Sequence, residues 1–190
     1  MKSTTMVGAG LFLAWAAHDS EEWLTMAPTS RDVFARMPRW VPIPEGLRSH
    51  GLSQRHVNVA LGLMAIPVAA ASLAGIRSEG RSSWFRGALL AFGLHGFTHL
   101  GNSVAARSYT SGVATAPVIV VPYWLLARRV LRRQGITEPD LRITLSALAT
   151  VPLTLGVHLV TAALLGEKSL GAEPEPDRRC GPQVRRHSRT

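Results

Sequence analysis

Residues 6–26 read MVGAGLFLAWAAHDSEEWLTM, and the fold prediction starts from this stretch. Its first half is apolar, whereas its second half carries four ionisable residues, His18, Asp19, Glu21 and Glu22. Ionisable residues within an apolar helix usually face the interior of a bundle or a wet cavity, because they are costly in lipid. We therefore predict a first membrane span over about residues 4–26.

A signal peptide is the alternative interpretation of the same stretch. Lys2 would be its charged start and Ala14-Trp15-Ala16 its cleavage site. The charged region before the apolar run consists of this single lysine, so we favour a retained helix.

Four further stretches lack Asp, Glu, Lys and Arg altogether: 57–76, 87–106, 112–127 and 143–166. The 190 residues are 46% hydrophobic and only 17% charged, whereas soluble domains average about 25% charged residues. A bilayer core about 30 Å thick requires roughly 20 apolar residues per helix. The sequence therefore predicts an all-α integral membrane bundle of about five transmembrane helices, multi-pass in the cell membrane, with spans at about 4–26, 57–76, 84–106, 111–131 and 141–165.

The remaining segments are predicted to be irregular. Residues 27–56 contain four prolines, Pro28, Pro38, Pro42 and Pro44, and we expect a loop there because proline interrupts helices. Residues 1–166 then form one transmembrane domain, and residues 167–190 form a basic, proline-containing tail that we expect to be disordered. The single cysteine, Cys180, excludes an internal disulfide.

The net charge of +9 does not indicate a nucleic-acid-binding protein. Many of the basic residues, such as Arg77, Arg81, Arg128 and Arg129, flank apolar runs, as membrane insertion and anionic headgroups favour. The sequence has no zinc-finger spacing and no glycine-rich phosphate loop. We expect the lipid bilayer and a hydrophobic small molecule as partners, and no nucleic acid. The orientation in the membrane and the oligomeric state stay open.

Rare polar residues in three predicted spans fall at similar depths. Glu21, His99 and His158 lie about 17, 15 and 17 residues from the starts of spans that run in the same direction. At about 1.5 Å per residue, these levels agree within about one helical turn. We therefore expect their side chains to meet in one layer of the bundle.

Helical spacing and residue type together point to a metal site. His18, Glu21 and Glu22 share one arc of a helix, and His95 and His99 lie one turn apart. Imidazoles and carboxylates are common ligands of iron, zinc and manganese. We predict a divalent metal ion bound by six residues: His18, Glu21, Glu22, His95, His99 and His158. Glu21, Glu22 and His18 are the candidate catalytic residues. Asn58 and Asn102 are predicted to orient ligands, and His50, His56 and His187 to be solvated.

Three functions fit these residues. The first is a metal-dependent enzyme that oxidises or hydrolyses a lipid or another hydrophobic small molecule. The second is a metal-free proton-transfer isomerase or cyclase, in which Glu21 or Glu22 is the acid and a histidine is the base. The third is a non-catalytic membrane protein, either with a polar cluster that only links helices or serving as a transporter accessory or ion conductor. A conductor needs polar residues across the whole membrane, whereas here they gather in one layer.

Two motifs resemble a known family. His18-Asp19-Ser20-Glu21-Glu22 in a first membrane helix resembles the HXXEE family, small multi-pass membrane proteins of bacteria named for this motif. His95-Gly96-Phe97-Thr98-His99, followed by Asn102, is similar to the second histidine motif of that family. The resemblance covers most of residues 6–165 and implies a membrane location and the five motif residues His18, Glu21, Glu22, His95 and His99. It implies no reaction or substrate, because the family has no assigned function.

Overall fold

The computed structural model describes residues 2–41, 43–136 and 140–167. These residues form α-helices with short connections and contain no strand, which confirms the all-helical prediction for the described chain. The helices are α1 (Ser3–Arg36), α2 (Glu45–His50), α3 (Gln54–Arg77), α4 (Ser83–Ala106), α5 (Val121–Arg133), α6 (Leu141–Leu148) and α7 (Thr150–Leu165). The tail predicted at 167–190 lies outside the described residues, apart from Glu167.

Helix α1 is longer than the sequence predicted. It continues through Pro28 to Arg36, so the prediction of a loop at 27–56 was wrong for 27–36, for α2 and for residues 54–56, which begin α3. Hydroxyl groups near the proline bond to backbone carbonyls: Thr25 donates to Glu21 at 2.7 Å, and Thr29 donates to Thr25 at 2.6 Å. The carbonyl that Pro28 leaves without an amide donor is that of Leu24, four residues earlier, so these bonds add local support and do not replace the lost one.

Arg48 joins the end of α1 to the segment that follows it. Its guanidinium donates to the backbone oxygens of Phe34 and Met37, both at 2.9 Å, and to those of Pro38 and Val41 at 3.1 and 2.9 Å. The last carbonyls of a helix have no partner within the helix. Arg48 satisfies one of them, that of Phe34, and its other three bonds hold the segment before α2 against the end of α1.

Close backbone approach joins α1 to α3. A Cβ atom on Gly8 would lie 2.7 Å from the backbone nitrogen of Ile76, so only glycine allows the contact. Ser72 donates to the Gly8 carbonyl at 2.6 Å and accepts from the Phe12 amide at 3.1 Å. Small residues with hydrogen-bonding hydroxyls are typical of helix contacts in membrane proteins.

An ion pair joins the start of α1 to the end of α3. The Lys2 ammonium lies 2.5 Å from Oε1 of Glu79, just beyond the end of α3. The hydrogen bond and the charge of Lys2 hold the pKa of the Glu79 carboxyl below its usual range. This contact places the start of α1 beside the turn between α3 and α4.

The predicted span at 111–131 begins as helix only at residue 116. Residues 107–115 fold as a connection, and a π-helical turn, Ala116–Val120, then leads into α5. Pro117 and Pro122 have no amide hydrogen to donate, which fits the irregular start of this helix. π-Helical turns are frequent at functional sites, and this one directly follows Thr115.

Two helical stretches of the described chain are long and apolar enough to cross a membrane. They are α3 and the nearly continuous helix Leu141–Leu165, formed by α6 and α7. Only 22% and 11% of their most apolar stretches are buried. Length and composition in the described chain thus support two of the five predicted spans.

Candidate metal centre

Four of the six predicted ligands come together between α1 and α4. They are His18, Glu22, His95 and His99, which offer one ligand atom each, all within 4.8 Å of one another. Nε2 of His99 lies 3.3 Å from Nε2 of His18, 2.8 Å from Nε2 of His95 and 3.3 Å from Oε1 of Glu22. The spacing of four residues within each helix places each pair on one face, and the packing of α1 near α4 brings the two faces together.

The connection at 107–115 fixes the imidazole of His99. Its Nδ1 lies 2.7 Å from the carbonyl oxygen of Ser111. A carbonyl oxygen only accepts hydrogen bonds, so Nδ1 must carry the proton. In the neutral ring, Nε2 therefore presents a lone pair to the other three side chains.

His18 is fixed in the same way through Thr115. Its Nδ1 lies 2.7 Å from Oγ1 of Thr115, and this hydroxyl donates to Oε2 of Glu21 at 2.6 Å. A hydroxyl has one proton, so towards His18 it accepts. Nδ1 of His18 is then the donor, and Nε2 of His18 also presents a lone pair.

Two imidazole lone pairs and one carboxylate oxygen therefore point into the same small volume. Lone pairs that face each other repel unless a cation lies between them. With metal–nitrogen bonds of roughly 2.0–2.1 Å, the corners of a tetrahedron are roughly 3.3 Å apart. The 3.3 Å separations from His99 to His18 and to Glu22 match this value. His95, at 2.8 Å, needs to move outward by a few tenths of an ångström. Nε2 of His18 and Oε1 of Glu22 lie 4.0 Å apart and have to approach by several tenths of an ångström. With these adjustments the donor set fits one transition-metal ion.

Glu21 does not belong to the group, which corrects its assignment as a ligand. Its carboxylate accepts hydrogen bonds from the backbone amides of Ala114 and Thr115 at 3.1 and 2.7 Å, from the Thr115 hydroxyl, and from the hydroxyl of Tyr109. Both oxygens are occupied by the connection 107–115. Glu21 points one residue, or about 100°, away from Glu22 around the helix, and its hydrogen-bond link to His18 runs through Thr115.

Gly112 allows the connection to lie against the histidine rings. A Cβ atom there would lie 2.6 Å from Cε1 and Nδ1 of His99 and 2.9 Å from Cε1 of His18. Gly112 also has a φ of +81°, in the region that favours glycine. The close cover over the two rings therefore depends on this residue.

An apolar cavity of about 250 Å³ reaches the group from one side. It lies between α1, α3, α4 and α7, and its lining includes Trp15, Leu61, Met64, Phe92 and Val157. Glu22 and His95 border it, whereas His18 and His99 do not. Asp19 also borders it, is only 7% exposed, and has no hydrogen-bond partner among the described residues. A molecule in the cavity would therefore meet the group on the side of Glu22 and His95.

His158 lies away from the four-residue group, so its assignment as a ligand is also corrected. Its Nδ1 is 3.0 Å from Nε2 of His56. His56 was predicted to be solvated, but it lies in α3 and is only 1% exposed. Equal depth placed His158 near the cavity, which it borders, yet depth does not fix the direction in which a helical residue points.

The two asparagines predicted to orient ligands have other surroundings. Asn58 is exposed, and its Oδ1 accepts hydrogen bonds from Trp23 and Gln54 at 2.8 and 2.9 Å. Asn102 is exposed at the end of α4. Orientation of the ligands comes instead from Ser111 and Thr115.

The sequence analysis missed these supporting residues of the connection. Helical periodicity does not describe them, because they lie where the chain is not helical. A signal does exist: residues 108–112 read SYTSG, a hydroxyl-rich run with a glycine directly after the histidine-bearing helix. Such runs are typical of turns whose side chains and carbonyls bond locally.

Comparison with known proteins gives one family match. A family model described as a protein of unknown function with HXXEE motif matches residues 9–127. This region contains all four residues of the group and the whole connection 107–115. No curated protein matches the chain, and no solved structure matches it.

Proposed function

We infer a function for a chain that belongs to the family of proteins of unknown function with an HXXEE motif. We propose that the protein is a multi-pass protein of the cell membrane with a mononuclear metal site. We further propose that it is an enzyme acting on a lipid or another hydrophobic small molecule. The ion would be iron, zinc or manganese, held by His18, Glu22, His95 and His99. The proposal has three parts: the membrane, the metal and the substrate cavity.

Outward-facing leucines support the membrane part. In the core helix of a soluble protein most of the apolar stretch would be buried, whereas in Leu141–Leu165 only 11% of it is. Leu155, Leu159 and Leu164 are each about three-fifths exposed. Exposed apolar surface of this extent requires a partner, and hydrocarbon is the partner that suits helices with few charges. We extend the proposal to α1, α4 and the helix from 116 to 133, which complete a five-span bundle.

The single observation that carries the metal part is the shared direction of the lone pairs on His18 and His99. Both rings donate from Nδ1 to the connection 107–115, so both Nε2 atoms are left as acceptors 3.3 Å apart. Glu22 adds a negative charge beside them. A divalent cation satisfies all these acceptors at once, and it offsets the burial of the carboxylate.

The apolar cavity supports a hydrophobic substrate. Its volume of about 250 Å³ exceeds the roughly 150 Å³ of an apolar cavity that accommodates benzene. Ligand pockets are typically apolar with a few polar groups that orient the ligand, and Asp19, Glu22 and His95 are in that position here. A bound ion would polarise an oxygen atom of the substrate or activate water. Asp19 is placed to hold or release a proton in the cavity.

A metal-free proton-transfer enzyme is the second candidate. The observation that favours it is Asp19, a buried acid without a hydrogen-bond partner among the described residues, which borders the same cavity. In this case a proton, not a metal ion, would lie between the imidazoles. Metal content separates the two candidates.

The test is elemental analysis of the full chain, expressed with a non-histidine affinity tag and purified in detergent. We expect about one equivalent of iron, zinc or manganese per chain, lost in His99→Ala and in Glu22→Gln. His50→Ala is the matched control, because His50 is an exposed histidine outside the group, and it should keep the metal. Wild-type protein without metal after supplementation with each ion would overturn the metal part and favour the second candidate.

A further inference from the structure

A second polar cluster joins α3 to α7 beside the cavity. The ring planes of His56 and His158 are nearly parallel, 10° apart, and the ring centroids are 5.3 Å apart. Nε2 of His56 lies 3.0 Å from Nδ1 of His158, and Nδ1 of His56 lies 2.8 Å from Oε2 of Glu167. The three side chains therefore form one continuous chain of hydrogen bonds.

Local backbone structure holds Glu167 in place. Gly166 ends α7 with a φ of +68°, and the amide of Glu167 donates to the carbonyl of Ala162 at 2.9 Å. This bond is the signature of a glycine-terminated helix end. On the other side, Ser53 caps α3 through the His56 amide at 3.0 Å and donates to Oε1 of Glu167 at 3.5 Å. The position of the carboxylate is thus set by the ends of two helices.

The direction of every proton in this chain follows from Glu167. An ionised carboxylate only accepts, so Nδ1 of His56 carries a proton. In the neutral ring, Nε2 of His56 is then an acceptor, and Nδ1 of His158 must donate to it. Nε2 of His158 is left with a lone pair and has no hydrogen-bond partner among the described residues. His158 borders the cavity.

We propose that His158 is a proton acceptor for the molecule bound in the cavity, and that His56 and Glu167 are positioning residues that relay the proton away. The inference rests on the proposed function only in requiring that the cavity binds a small molecule. It assigns His158 a role different from that of a metal ligand.

The proton balance of the relay is complete without a further reagent. Nε2 of His158 takes a proton from the bound molecule, and Nδ1 of His158 gives its proton to Nε2 of His56. Nδ1 of His56 then gives its proton to Glu167. The side chains of His56 and Glu167 are only 1% and 9% exposed, so the carboxylate acts on the imidazoles with little screening by water. Through His56, the carboxylate favours the tautomer of His158 that carries its proton at Nδ1 and leaves Nε2 free to accept, as the buried carboxylate of a catalytic triad sets the tautomer of its histidine.

The first test needs no substrate. Nitrogen-15 spectra of full-length protein in detergent, labelled at histidine, report which ring nitrogen carries the proton. We expect both His56 and His158 to be protonated at Nδ1, assigned by comparison with His56→Gln and His158→Gln. If His158 carries its proton at Nε2 instead, the proposal is overturned.

The second test measures the nucleophilicity of His158 with diethyl pyrocarbonate. Attack by Nε2 forms a bond to a carbonyl carbon, breaks its bond to the bridging oxygen and releases ethyl carbonate, which yields carbon dioxide and ethanol. The Nδ1 proton passes to His56 as in the relay. Mass spectrometry of the peptides gives the rate at His158, with His50 in the same chain as the internal reference.

We expect Glu167→Gln to lower the rate at His158 by roughly tenfold and to leave the rate at His50 unchanged. An unchanged rate at His158 would contradict the relay. Metal content is measured on the same samples: Glu167→Gln should retain the metal. A protein without metal whose His158 still depends on Glu167 contradicts only the metal part of the proposed function. A protein with metal whose His158 does not depend on Glu167 contradicts only the relay.

Discussion

His18 and His99 face each other through the same ring atom, Nε2 to Nε2 at 3.3 Å, while their Nδ1 atoms bond to residues four positions apart in one connection. Ser111 supplies a backbone oxygen, and Thr115 supplies a hydroxyl. One short segment therefore sets the protonation of two ligands from two different helices. Its contacts are as important to the site as the ligands themselves.

Thr115→Val should weaken metal binding without removing a ligand. The valine cannot accept the hydrogen bond from His18, so the ring loses its preference for a free Nε2. We expect the metal dissociation constant to rise by roughly 10- to 100-fold, the usual effect of changing a residue that orients a ligand. Competition with a coloured chelator measures it.

Thr115→Ser is the matched control for this change, because it keeps the hydroxyl group. It should bind the metal within a few-fold of wild type. Equal affinities for the valine and serine variants would show that the hydroxyl does not support His18.

Gly112→Ala should disrupt the site by steric contact. The new methyl group would overlap the rings of His99 and His18 and push the connection outward. Gly135→Ala is the control, because Gly135 also has a positive φ, +68°, but has open space around its Cβ position. Both variants lose roughly 1 kcal/mol from backbone strain, whereas only Gly112→Ala should lose the metal. Full metal content in Gly112→Ala would contradict the close packing of residue 112 against the rings of His18 and His99.

Arg48→Ala should loosen the end of α1. It removes four hydrogen bonds from a charged group to backbone carbonyls, and we expect a loss of about 2 kcal/mol. Limited proteolysis should then cleave within 37–41, and thermal unfolding in detergent should begin at a lower temperature. Arg39→Ala, at an exposed arginine of the same segment, should leave both measurements unchanged.

Leu155→Arg should impair membrane insertion. Leu155 is 59% exposed in the middle of Leu141–Leu165, and arginine at the centre of a membrane helix costs roughly 2.5–3.5 kcal/mol. Leu141→Arg is the control, because residue 141 begins the helix and its side chain can reach the interface. The measurement is the fraction of protein kept in membranes after an alkaline wash. A Leu155→Arg protein that stays in the membrane as well as wild type would contradict a lipid-facing position.

Helical spacing predicted the site well where one helix alone decides the geometry. His18 with Glu22, and His95 with His99, are four residues apart and lie on common faces, as expected. Similar depth was also predicted for the polar residues of α1 and α4, and His18 and His99 of these two helices lie side by side. Family membership was predicted from the same two motifs and is confirmed.

Direction around the helix axis was the part that spacing could not supply. Glu21 shares an arc with Glu22, but it lies about 100° away around the helix axis and its carboxylate faces the connection 107–115. His158 lies at the predicted depth yet bonds to His56, whose burial depends on the end of α7 meeting the start of α3. Pro28 was expected to end a helix, but α1 continues through it to Arg36 and packs against its neighbours. Each of these depends on tertiary contacts that local patterns do not contain.

The close fit of Gly112 over the two rings has a consequence for ion choice. Because Ser111 and Thr115 hold the Nδ1 atoms of His99 and His18, and Gly112 packs against both rings, the two Nε2 atoms present a fixed spacing to any incoming ion. His95 is exposed and can adjust. Residues 111–115 would then determine which ionic radius the site prefers. Substitutions in that segment would change the preferred metal while all four ligands stay the same.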